Sequence, residues 1–297
     1  MGLEKIVISA SRRTDIPAFY MDWLMDRIKR RTLETVNPHN RRRAVIDARP
    51  ENIHTIVFWS KNFGPFLAGG YGERLQALGF HLFFNFTINS ACPILEPNLP
   101  PLARRLDQME RLCRRFDART VVWRFDPICF YKSRENGCAD NLGDFDEIAD
   151  RVSACGITRC ITSFMDHYPK IEKRLSSMSG FFFLDPPPEE KRDVLLDLKK
   201  RLGPIRLDTC CEKGVLDMLP VDADIGRAAC ISNDLLMDLF GGRLSLARDR
   251  GQRKKLGCGC MVSIDIGDYL LHPCYHNCLF CYANPADPGP YSNPGAC

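Results

Sequence analysis

The sequence has no apolar run close to the length needed to cross a bilayer. Its start, Met1-Gly-Leu-Glu-Lys5, lacks the long apolar stretch of a secretory signal. A cytoplasmic protein with no membrane partner is the expectation. No Gly-rich phosphate-binding turn follows the first apolar run, which argues against a dinucleotide-binding, doubly wound sheet. Net charge is also small, at +4, so a nucleic-acid partner is permitted but not demanded. Cysteine is the opposite case, with 15 in 297 residues. In a reducing compartment that abundance argues against a disulfide framework and for metal.

What is present reads as strands alternating with amphipathic stretches. Apolar runs at 5–11, 54–59, 80–87, 120–126, 159–165, 205–209 and 261–265 each close on polar residues. Repeated about seven times, this pattern predicts an α/β fold with a parallel sheet curled into a (β/α) barrel or partial barrel. The 45% hydrophobic content suffices for the core of one domain over 1–297, with a cysteine-rich metal-binding region at 205–284 and a short tail at 285–297. Loops are expected around Asn37-Pro38, at 133–141, and at 181–184, where aromatics would be buried. Chemistry in such barrels sits at the C-terminal ends of the strands. Asp15, Lys61, Thr87, Asn89, Arg124, Asp126, Asp166 and Glu212 fall there. Among them Asp15, Arg124, Asp126 and Glu212 are candidates for catalysis, although Arg124 and Asp126 fit a buried structural ion pair equally well.

The densest signal is Cys274-Tyr-His-Asn-Cys278-Leu-Phe-Cys281-Tyr-Ala283. A C-x3-C-x2-C loop can bring three thiolates to one point, and thiolates favour iron–sulfur clusters and zinc. A [4Fe–4S] cube held by three cysteines keeps one iron open for a further ligand. A zinc knuckle would instead recruit His272 or His276 as its fourth. The spacing, with Phe280 just before the third cysteine, resembles the cluster motif of radical S-adenosylmethionine (SAM) enzymes. The fuller form C-x-H-x-C-x-Φ-C-Y-A, where Φ is aromatic, is similar to that of spore-photoproduct-lyase-like members. Its position near the end of the chain resembles a prokaryotic family, domain of unknown function 1848, and that likeness runs along nearly the whole sequence.

This resemblance implies a [4Fe–4S] cluster on Cys274, Cys278 and Cys281, bound SAM, and a reductant such as flavodoxin or ferredoxin. It implies hydrogen abstraction from a substrate, either a small molecule or nucleic acid. The fold it implies is a circularly permuted radical SAM barrel, in which 261–265 lies beside 5–11 and feeds the cluster loop at the C-terminus. By position in such enzymes, Ser9, Ser11 and Arg12 match the strand that holds the SAM amino group. Thr87 or Asn89 match the ribose strand, and Arg124 would meet the carboxylate. The usual Gly-Gly-Glu is absent.

A second thiol group begins with Cys258-Gly-Cys260, where glycine lets both sulfurs face one site. Cys230, with Cys210 or its neighbour Cys211, would complete four ligands, enough for an auxiliary [4Fe–4S] cube or for zinc. The family's T-C-x-E element matches Thr209-Cys210-Cys211-Glu212 and implies that Cys210 is the ligand. Cys92, Cys113, Cys129, Cys138, Cys155, Cys160 and Cys297 lack ligand-like spacing and are expected as packing or incidental thiols. Two other functions stay open: a non-catalytic electron-transfer or structural zinc protein, and an enzyme of nucleic-acid repair or modification.

Overall fold

A computed structural model describes residues 4–37, 40–134, 137–176 and 178–283. Its strands in chain order are β1 (Ile6–Ala10), β2 (Thr32–Val36), β3 (Arg43–Asp47), β4 (Ile53–Ser60), β5 (His81–Thr87), β6 (Val121–Ile128) and β7 (Phe130–Ser133). There follow β8 (Gly137–Asp140), β9 (Arg159–Phe164), β10 (Phe182–Leu184), β11 (Arg206–Thr209), β12 (Ile225–Arg227) and β13 (Ile264–Asp265). Eight of them form one sheet in the order β12-β11-β9-β6-β5-β4-β1-β13, every neighbouring pair parallel.

The sheet is covered on both faces, which is why its central strands are apolar almost throughout. β4 reads Ile-His-Thr-Ile-Val-Phe-Trp-Ser and is buried at nearly every position. One face carries Ile8, Ile56, Phe84 and Trp123 beneath the helices Leu102–Phe116, Phe145–Ala154 and Pro188–Leu202. The opposite face gathers Val7, Val57, Phe83, Val122 and Ile161, one each from β1, β4, β5, β6 and β9, against Ile231, Leu236 and Leu244. Each large apolar side chain fully buried there contributes about 1.5–3 kcal/mol, so these two clusters are the main stabilising term.

The last strand is the neighbour of the first: β13 runs parallel to β1, with Ile264 opposite Ile8. The segments beside the two outer strands also meet. Gly259 N–H donates to the Ala228 carbonyl (3.1 Å) and Met261 N–H to that of Ile231 (3.0 Å). A Cβ added at Gly259 would lie 2.6 Å from the Ala228 oxygen, so the C-G-C glycine is required by close backbone approach.

Three expected loops are partly strands. Around Asn37, β2 and β3 form an antiparallel hairpin. Leu33, Val36 and Ile46 are buried side chains of that hairpin. β8 and β10 both pair antiparallel with β7. With four and three residues they are too short to show a period, and the edge of β7 orders them. Phe181 and Phe183 nevertheless bury their rings, as expected of that stretch. The run at 261–265 is a strand only at Ile264–Asp265. Among the described residues no helix is long and apolar enough to cross a membrane.

Candidate functional site

Asp265 ends β13, and a short turn then carries the chain to the three-cysteine loop. Asp268 caps that turn, its Oδ1 accepting from the N–H groups of Leu270 (2.8 Å) and Leu271 (3.1 Å), and its Oδ2 from Arg41 (3.0 Å). The loop is tied down along its length. Tyr20 donates to the Pro273 carbonyl (2.5 Å), Asn98 to that of Tyr275 (2.9 Å), and the Leu279 N–H to Leu95 (2.8 Å). Arg174 donates to the carbonyls of Leu279 (2.6 Å) and Cys281 (3.3 Å). Asn277 turns the backbone at φ +54°, a conformation asparagine tolerates better than most residues.

Cys278 is buried, while Cys274 and Cys281 are half-buried. Burial, reinforced by neighbouring thiols, pushes Cys274 and Cys278 above the ordinary thiol range. Both are therefore protonated until a cation displaces the protons. The buried His276 places Nε2 2.8 Å from Asp15 Oδ2. Asp15 also accepts from the Ser60 hydroxyl (2.8 Å) and the Lys61 N–H (2.8 Å), and caps a helix through the Ala18 N–H (2.9 Å). Asp15, a catalytic candidate from sequence, thus anchors the loop to two strand ends. His272 packs on the rings of Trp23 (4.3 Å) and Tyr20 (5.0 Å).

Beside the loop lies a buried ion pair: Lys61 Nζ to Glu96 Oε1, 2.5 Å. Burial works against the Lys61 ammonium, but Glu96 and Cys278 outweigh it and the net shift is upward. Glu96 Oε1 is also 3.9 Å from Cys278 Sγ, and Glu96 Oε2 is buried with no partner among the described residues. Lys61 is visible in the sequence as a strand-end residue. Glu96 is not, because it sits in a Pro-rich connection whose path no local pattern reveals.

The other expected residues are brought to the same ends of the strands. The hydroxyls of Ser9 (2.8 Å) and Ser11 (2.5 Å) donate to Asp265, as does the Arg12 N–H (2.8 Å). The guanidiniums of Arg12 and Arg124 both stand over the Trp59 ring, each 5.2 Å from its centroid. Arg124 also pairs with Asp126, which accepts from Ser163. Burial alone would raise the Asp126 carboxyl; Arg124 and Ser163 hold it below its usual range. Thr87 lies opposite Arg124 in the sheet register. Asn89 holds the Asp126 N–H (2.9 Å) and donates to Glu96 (3.3 Å). Glu212 accepts from the Phe164 N–H (2.9 Å), and burial pushes its carboxyl up.

The second thiol group is assembled from three distant segments. Cys210 Sγ is 3.7 Å from Cys211 and 3.9 Å from Cys230. Cys258 and Cys260 are buried nearby, close enough to Cys210, Cys211 and Cys230 for the thiols to perturb one another's ionisation. Hydrogen bonding with Cys210 pushes the Cys211 thiol up to about 12. Arg124 donates to Cys230 Sγ at 2.9 Å. Among the described residues, no group of three or more His, Cys, Asp or Glu side chains is placed so that it could hold a metal ion. Of the remaining cysteines, Cys129 and Cys160 are buried packing residues, and Cys297 lies outside the described residues.

A family model described as domain of unknown function (DUF1848) matches residues 7–283. No curated protein matches the chain. Among solved structures, a pyruvate carboxylase variant of Rhizobium etli crystallised without acetyl coenzyme-A is similar at a TM-score of 0.29 and 12% identity. That similarity covers 81% of this chain and 24% of the other.

Proposed function

We propose that this chain, which belongs to the DUF1848 family, is a radical SAM enzyme on a circularly permuted (β/α) barrel or partial barrel. The observation that carries the reading is the anchored Cys274–Cys278–Cys281 loop beside the unpartnered, buried Glu96 Oε2. Three thiols on one loop, with no fourth, are the donor set of a cube with one open iron. Barrel closure is supported by β13 lying beside β1 and by the backbone bonds between 228–231 and 259–261.

Cys274, Cys278 and Cys281 would hold the [4Fe–4S] cluster. When bound and reduced by a flavodoxin or ferredoxin, it supplies the electron that splits SAM into methionine and a 5′-deoxyadenosyl radical, which takes hydrogen from the substrate. The chain's own residues bind, orient and exclude water. Glu96 Oε2 is free to accept from a cationic group such as the SAM amino group, while Lys61 fixes the other carboxylate oxygen. Arg12 has one buried guanidinium nitrogen without a partner, suited to a carboxylate. Arg124, engaged by Cys230 and Asp126, is less available for that role. Leu279 and Phe280 are buried and keep water from the cysteines between them. The substrate is a small molecule or a nucleic acid.

The test is anaerobic reconstitution followed by SAM. The reduced protein should change its electron paramagnetic resonance spectrum when SAM binds, and dithionite with SAM should yield 5′-deoxyadenosine even without substrate. Cys278→Ala should abolish both. A fully loaded protein giving neither signal would overturn the reading in favour of electron transfer, and zinc without iron on this loop would favour a structural role.

A further inference from the structure

We propose that the exposed Leu270–Leu271 turn and the arginines of the β2–β3 hairpin form the docking surface for a small acidic protein that carries one electron. The inference rests on the SAM reading, because it says where the reductant of that cluster sits. Charge is the first observation. From Asp26 to Arg49 the chain holds eight basic residues against three acidic ones, a net of +5 where the whole chain has +4. All of the protein's positive excess thus belongs to this hairpin and the helix end before it. Arg42 is exposed and has no ionic partner among the described residues. Arg43 is exposed as well, with only a loose pair to Glu34 at 3.8 Å.

An apolar pair inside that field is the second observation. Leu270 is 74% exposed and Leu271 61%. Two adjacent leucines in water are stabilised by burial against a partner. They are also firmly placed. Asp268 accepts from both of their N–H groups through Oδ1 and from Arg41 through Oδ2, so one carboxylate sets the leucines beside the hairpin. Thr35 donates to the Asp265 carbonyl (2.7 Å), and Arg13 bridges the carbonyls of Val36 (2.9 Å) and Gly267 (3.0 Å). Turn and hairpin are therefore one surface, an apolar centre edged by guanidiniums, which is the make-up of a protein interface.

Charge complementarity selects an acidic partner. The leucines select protein over nucleic acid, since they offer no ring for base stacking and add nothing to phosphate contacts. Position selects an electron carrier. Leu271 and Cys274 are three residues apart, so their Cα atoms are separated by no more than about 11 Å. Electron-transfer encounters bury less than about 1,200 Å², so a patch of this kind suffices. One electron passes from the carrier's reduced flavin or iron–sulfur centre to the oxidised cluster. The carrier is oxidised, the cluster is reduced, and no bond forms or breaks.

The experiment measures binding of an oxidised flavodoxin and of a plant-type ferredoxin to the anaerobically reconstituted chain. At low salt at least one should bind saturably, weaken as salt rises, and slow amide exchange at 41–43 and 268–272. Arg42→Glu with Arg43→Glu should weaken binding about tenfold, and Leu270→Ser with Leu271→Ser should weaken it too. Arg104→Glu with Arg114→Glu makes the same charge change on the helix Leu102–Phe116 and should leave binding within about twofold. Reduction by the carrier should slow in the first two variants, while dithionite, which needs no docking, should reduce them at the wild-type rate. No saturable binding to either carrier would overturn the proposal. So would hairpin and leucine variants that bind like wild type, or equal weakening by the helix variant. A single-stranded oligonucleotide that binds more tightly than either carrier, and is lost in the hairpin variant, would assign the face to nucleic acid instead. The exchange footprint needs no variant, so it decides the case if a substitution prevents folding, and protection elsewhere would overturn the proposal. The SAM reading fails by a different result: no 5′-deoxyadenosine from a loaded protein given dithionite and SAM.

Discussion

Asp268 sets the approach to the cysteine loop with one carboxylate, so its removal tests that approach directly. Asp268→Ala should cost about 0.5–2 kcal/mol, the usual worth of such a side-chain cap, read from urea unfolding at pH 7. Burial would raise this carboxyl, but the N–H groups of Leu270 and Leu271, with Arg41, bring it below its ordinary value. A depressed carboxyl stabilises the fold above its unfolded value of about 3.9 and loses that contribution as pH falls through the lower folded value. The gap between wild type and Asp268→Asn should therefore narrow below about pH 4. Glu96 makes a stronger demand. Glu96→Ala leaves the Lys61 ammonium buried beside Cys278 without its carboxylate, at a cost of about 3–5 kcal/mol. Lys61→Met combined with Glu96→Gln should recover most of that stability. If the double variant is no better than Glu96→Ala, the pair is not coupled as its 2.5 Å contact implies.

The cysteine loop is an element without regular secondary structure, held by side chains reaching to its carbonyls. Arg174 makes two of those bonds, on both sides of Phe280. A lysine is a point donor and cannot reproduce that fork. Arg174→Lys should leave the melting midpoint of the sheet nearly unchanged while speeding amide exchange over 278–283. On the proposed cluster reading, iron retention on the loop should fall in the same variant. Equal exchange rates in the two proteins would mean that Tyr20, Asn98 and Leu95 suffice to hold it. Gly259→Ala acts on a neighbouring element, since its Cβ would strike a backbone oxygen. A loss of about 1–3 kcal/mol is expected from the overpacking.

Across the whole molecule, the chain is joined end to end at Asp265. Its carboxylate accepts from Ser9, Ser11 and the Arg12 N–H, residues about 250 positions away. Asp265→Ala would leave the buried hydroxyls of Ser9 and Ser11 and the Arg12 N–H without that acceptor, and each unsatisfied group costs about 1–3 kcal/mol. A several-kcal/mol loss in denaturant unfolding is the expected result, with Asp265→Asn milder. A chain ending before β13 would also bare the parallel edge of β1, so it should aggregate in place of folding. Recovery of a monomeric, cooperatively unfolding truncation would show that the β1–β13 junction is dispensable.

The sequence by itself determined the central strands, because β1, β4, β5, β6 and β9 are covered on both faces and must be apolar along their length. It likewise singled out Cys274, Cys278 and Cys281, whose grouping is local. It also marked the polar residues that end the strands, since the apolar run stops where a strand leaves the core. Only the tertiary structure decided the rest. β8, β10 and β12 are too short to carry a period and exist because a neighbouring strand offers its hydrogen bonds. Glu96 reaches Lys61 and Cys278 from a Pro-rich connection, and Asp265 meets Ser9 and Ser11 across nearly the full chain. The meeting of Cys210 and Cys211 with Cys230 is a distance between segments, and composition and spacing along a chain do not encode it.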